Sequence, residues 1–167
     1  MKRLLIILLA LTFLLMGCDP GMAHLDGEEL LQNTVRIELV HYENTSPKLI
    51  RRSDTNVQIF DFGKVTPIAV LDVSLIEDVV TDMAQQDLLL FSNTLNEPIG
   101  KTVLLYQSDG SMIVMFGCVY QTKRGGKRYY GECNLFDENG VFVDYLGDIS
   151  SEYVDRLEAK YFTGGTN

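Results

Sequence analysis

Three turn dipeptides, Asp109-Gly110, Gly125-Gly126 and Asn139-Gly140, punctuate the second half of the chain and constrain its fold more than any other feature. Between β-rich runs such pairs mark hairpins, because type I′ turns need positive φ at both central positions. The runs 102–107, 111–121, 127–137 and 141–146 are therefore expected to form a four-stranded antiparallel meander. If Gly125-Gly126 is a two-residue loop, Phe116 faces Leu135 and Cys118 faces Cys133. Directly opposed strand residues lie within the Cα window that a disulfide tolerates, so a Cys118–Cys133 bond is expected, two buried thiols being the alternative. The same register puts Val114, Phe116, Cys118 and Tyr120 with Tyr129, Gly131, Cys133 and Leu135 on a face that meets helices. Met115, Gly117, Val119, Tyr130, Glu132 and Phe136 take the other face.

Two helices are expected to cover this sheet. Ser74 and Glu77 have capping-box spacing, and Ile76, Val79, Val80 and Met83 then fall on one stripe, which predicts an amphipathic helix over about 74–86. Ser150 reads as an N-cap, and Tyr153, Leu157 and Tyr161 recur every four residues, which predicts a second helix over about 150–161. Ahead of them, 35–42 alternates in period two, with Val35, Ile37, Leu39 and His41 inward and Arg36, Glu38 and Val40 outward. Further strands are expected over 57–62 and 66–71, after a long polar loop, 43–56, that carries Lys48, Arg51 and Arg52. The fold class is α+β: an antiparallel meander with a central and a C-terminal helix packed on it.

Candidate chemistry is sparse. Asp72, Asp78, Asp82 and Asp87 match no calcium loop and read as a solvated acidic face. His24 and His41 are isolated, no further ligand completes a zinc site around the cysteines, and no G-x-S-x-G, nucleotide-loop or H-E-x-x-H pattern occurs. No metal, cofactor or catalytic residue is therefore assigned. At the tip of the middle hairpin Lys123, Arg124, Lys127 and Arg128 crowd around the glycines. Their mutual repulsion does nothing evident for folding. Beyond a solubilising role, they suit contact with an anionic partner, with Tyr129 and Tyr130 supplying stacking area.

The N-terminus decides the compartment. Lys2 and Arg3 precede an apolar run over 4–16, too short for a comfortable membrane span and patterned as an export leader. It ends in Leu15-Met16-Gly17-Cys18, which resembles the lipobox of bacterial lipoproteins, with Met16 less usual at its place. The resemblance covers residues 1–18 alone. It implies cleavage before Cys18, acylation of that cysteine, and residence on the outer side of the cytoplasmic membrane, the outer membrane being the other address left open. The expected division is a signal peptide over 1–18, a tether over 19–33, one α+β domain over 34–162 and a tail over 163–167.

Loss of Lys2 and Arg3 from 14 basic residues, against 23 acidic ones, leaves the mature chain at −11. Such a surface argues against nucleic acid, whose binding depends on cationic side chains, and against adsorption to anionic lipid. Two function classes remain. The favoured one is a non-catalytic module that binds an envelope protein or anionic polymer beside the membrane. The alternative is an envelope-polymer hydrolase using paired carboxylates, whose separation only a fold can supply.

Overall fold

Gly110 and Gly140, at φ of 89° and 75°, lie in the left-handed region at two chain reversals. Each closes a three-residue loop: the Gln107 N–H donates to Ser111 O and the Asp137 N–H to Val141 O, both at 2.9 Å. A glycine in the left-handed region at the last loop position is how a three-residue hairpin matches strand twist. Asp109 and Asp137 brace the loops, accepting backbone N–H bonds from Ser111 and Val141 at 2.8 Å.

The computed structural model describes residues 21–44, 49–51, 60–90, 94–121 and 127–163. In chain order the elements are β1 (Met22–Ala23), α1 (Gly27–Asn33), β2 (Thr34–Tyr42), β3 (Leu49–Arg51), β4 (Val65–Val70), α2 (Ile76–Ala84), β5 (Leu88–Leu89), β6 (Thr94–Asn96), β7 (Gly100–Gln107), β8 (Met112–Gln121), β9 (Lys127–Phe136), β10 (Phe142–Ile149) and α3 (Tyr153–Leu157). A π-helical turn, Glu158–Phe162, follows. An eight-stranded antiparallel sheet runs in the order β1-β5-β10-β9-β8-β7-β2-β4, and β3 pairs with β6 in a separate ribbon. Strands β7 to β10 are the consecutive meander that the turn dipeptides announce.

Alternation along the strands feeds two cores. On one face Ile37, Leu39, Val103, Leu105, Ile113, Met115 and Cys133 cluster with Val79, Val80 and Met83 of α2 and Tyr153, Val154 and Leu157 of α3. On the other, Val40, Tyr42, Leu104, Val114, Phe116, Phe136 and Phe142 close around Phe60. Both faces are thus dry. This is why Val40 and Glu38, expected to point at water, are buried. Glu38 accepts from the Tyr106 hydroxyl at 2.9 Å and pairs with Arg36. Burial first, then that bond, pushes the Tyr106 phenol up to about 12. Val35 and His41 are exposed instead of inward, and a register shift interrupts the β2–β7 ladder between Thr34 and Arg36.

The α2 stripe is buried as its spacing predicts, but Ser74 does not cap it. The Asp72 carboxylate accepts from the Ser74 N–H at 2.9 Å and caps a 3-10 turn, Val73–Leu75, that leads into the helix. Residues 60–62 are not a strand. Phe60 is a buried loop residue, and Asp61 caps a 3-10 turn over Phe62–Lys64; residues 57–59 lie outside the described set. The C-terminal helix begins at Tyr153, with Ser150 a turn earlier and only a 3.4 Å bond from the Glu152 N–H to its hydroxyl. The stretch expected as a tether contributes to the fold. Met22 and Ala23 pair with Leu89 and Leu88, and α1, capped by Asp26, buries Leu30 in the first core.

The middle hairpin departs most from expectation. Gln121 pairs with Lys127, so the ladder does not follow the register of a two-residue Gly125-Gly126 loop; residues 122–126 lie outside the described residues. Cys118 then faces Tyr130, and Cys133 faces Met115. The offset of three is odd, so it also exchanges the faces of β8. Ile113 and Met115 join the helix side, while Val114 and Phe116 join the second core.

Candidate functional site

Of the residues singled out in the sequence, Cys18, Lys123 and Arg124 lie outside the described residues, as do Lys48 and Arg52. Lys127, Arg128 and Tyr129 open β9, opposite Gln121, Tyr120 and Val119. Tyr130 is half-buried against the second core, and its hydroxyl accepts from the Asn96 side-chain amide at 2.6 Å. Its ring is therefore committed inward rather than offered beside the tip. Cys133 is a free, fully buried thiol, and burial holds it far above the ordinary cysteine range. The register that would have bonded it to Cys118 is not the one formed.

The most unusual chemistry is a group that sequence reasoning passed over. Glu132, with 0 % of its surface exposed, lies on β9 beneath the end of β6. Its Oε2 accepts the Asn96 backbone N–H at 3.0 Å and the Asn134 side-chain amide at 3.2 Å. Its Oε1 accepts the Asn96 side-chain amide. One carboxylate thus fastens the β3–β6 ribbon to the sheet. Asp148 is its direct neighbour on β10. Burial pushes the Glu132 carboxyl above the usual range, the amides of Asn96 and Asn134 oppose the rise, and Asp148 adds to it. The Asn134 Oδ1 is buried with no hydrogen-bond partner among the described residues. The available signal was parity: with the correct register Glu132 falls between Tyr130 and Asn134 on a core-facing row. A charged residue on such a row needs partners to be tolerated.

Two open grooves flank the sheet. One, of about 460 Å³, has a floor that includes Ile113, Leu135 and Leu146, and its rim includes Asp26, Glu29 and Asp109. Hydrogen bonds from the Ser111 hydroxyl and N–H hold Asp109 below the usual carboxylate range. The other, of about 570 Å³, lies among His41, Tyr42, Asn44, Lys64 and Ile99. Among the described residues no set of three His, Cys, Asp or Glu side chains is placed to hold a metal ion, and no helix is long and apolar enough to cross a membrane.

Comparison with protein-family models, with curated proteins and with solved structures finds no match to this chain.

Proposed function

We propose that this protein is an exported bacterial lipoprotein, held by acylated Cys18 on the outer side of the cytoplasmic membrane, whose domain is a non-catalytic binding module of the cell envelope. The observation that carries this reading is the ordered leader: Lys2 and Arg3, the apolar run, then Leu15-Met16-Gly17-Cys18. In this reading the central and C-terminal helices sheath one face of the meander and leave the tip, with Lys123, Arg124, Lys127 and Arg128, for an anionic polymer or an acidic partner. Binding is favoured over hydrolysis by the position of Glu132. General acid chemistry needs a carboxyl with a raised pKa that a substrate can reach, and this one is sealed beneath Asn96.

Fractionation of cells that make the full chain and a Cys18→Ala variant tests the anchor. The wild type sediments with membranes, and the variant loses that association. Capture from native envelope, compared with a variant in which the four tip cations are replaced by Ser, tests the module. A partner retained equally by both would remove the tip from the proposal.

A further inference from the structure

The chain enters the fold at the sheet edge nearest its proposed anchor. Gly21 O accepts the Leu90 N–H at 2.9 Å, and Met22 pairs with Leu89 immediately afterwards. The side chain of Leu90 lies along this entry, so close that a Cβ on Gly21 would sit 3.4 Å from its Cδ1. Only Asp19 and Pro20 separate Cys18 from Gly21. Three residue steps, fully extended, span at most about 11 Å. The headgroup zone of one leaflet is about 5 to 7 Å deep. An acyl chain on Cys18 therefore holds the β1–β5 edge at the headgroup zone or within about 4 to 6 Å of its outer limit.

That edge is dressed for such a position. Met22 on β1 is 61 % exposed and Leu90, just past β5, is 38 % exposed, so the edge presents an apolar side chain on each of its faces. Beside them the His24 imidazole Nε2 lies 3.6 Å from the Asp87 carboxylate. Exposure alone does not single the edge out, since Val70 on β4 is 57 % exposed at the opposite end of the sheet. The reach of the anchor distinguishes the two. The net charge of −11 noted above opposes an anionic surface, so apolar side chains must make the contact.

We infer that the β1–β5 edge, through Met22 and Leu90, seats in the interfacial zone of a zwitterionic bilayer and fixes the orientation of the domain on the membrane. This rests on acylation of Cys18. The opposite edge, β4, lies seven strand spacings away, about 33 Å, and is directed from the membrane together with the groove of His41 and Asn44 that adjoins β2.

The chain contains no tryptophan, so one introduced residue is a unique fluorophore. The acylated full chain carrying Met22→Trp, Leu90→Trp or Val70→Trp is reconstituted on phosphatidylcholine vesicles with and without brominated acyl chains. The inference expects emission from position 22 to be blue-shifted and quenched at least several-fold more than from position 70; position 90 repeats the test should the first variant fold poorly. If the vesicles float with the protein but positions 22 and 90 are quenched no more than position 70, the inference is overturned while the anchor stands. If the protein does not float with the vesicles, the anchor has failed and the inference falls with it.

Discussion

Cys133 faces Met115 across the β8–β9 ladder, three positions along from the partner that a two-residue tip would have given it. The pairing encloses the thiol completely, beside Val103 and Ile149 in the core under α2 and α3. The expected outcome is that Cys133 stays reduced and unreactive in the folded protein. Thiol alkylation followed by peptide mapping should label Cys133 only in denaturant, and recovery of a Cys118–Cys133 crosslinked peptide would contradict the register.

Glu132 gives the protein a distinctive pH dependence. Its folded pKa is raised above the ordinary carboxylate value of 4.5, so between those two values the folded state holds a proton that the unfolded chain has lost. Its contribution to stability is fully present below pH 4.5 and declines as pH rises through the folded value. Denaturant midpoints measured from pH 4 upward should show this decline in the wild type and a flatter profile in Glu132→Gln. Glu132→Ala should cost about 3 kcal/mol or more, because it strands the amides of Asn96 and Asn134 and opens a cavity. A loss under about 1 kcal/mol would show that the ribbon is held by something else.

Asp82 links α2 to the C-terminal segment. Lys160 Nζ and the Tyr161 hydroxyl donate to its Oδ2 at 2.7 and 3.1 Å, and the Tyr153 hydroxyl donates to Oδ1 at 3.3 Å. Burial alone would raise its pKa, but these donors outweigh it and hold the carboxyl below the ordinary value. The stabilisation is therefore present above pH 3.8 and lost as pH falls through the folded value. Asp82→Ala should cost about 1 to 2 kcal/mol, and hydrogen exchange should rise over residues 153–162 before the meander. Unchanged protection there would contradict the linkage.

Gly140 is irreplaceable on two counts. It sits at φ of 75°, and a Cβ would stand 2.4 Å from Phe60 O. Gly140→Ala should therefore destabilise by about 2 kcal/mol or more, through left-handed strain and displacement of the Phe60 loop from the second core. Thermal melts settle the matter, and a variant as stable as the wild type would contradict the approach of those backbones.

What the residues declared locally, they declared well. The apolar stripe of Ile76, Val79, Val80 and Met83 is buried as read, and the turn dipeptides mark the strand order of the meander. What they could not declare was set at a distance. The β8–β9 register is invisible in Gly125-Gly126 because a glycine pair fits several loop lengths, and an odd offset in register exchanges faces all along a strand. Phe60 and the β3–β6 ribbon cover the second face of the sheet through loops without periodicity. Consequently Glu38 and Glu132, which alternation assigns to water or to a mixed face, are buried and partnered instead.

The central claim is that Cys18 is the acylated first residue of an exported protein, and intact mass spectrometry of the membrane-extracted chain tests it most directly. The account predicts a mature chain that begins at Cys18, lacks residues 1–17 and carries a diacylglyceryl group on that cysteine. A chain that retains Met1–Gly17, or begins elsewhere without lipid, would contradict it.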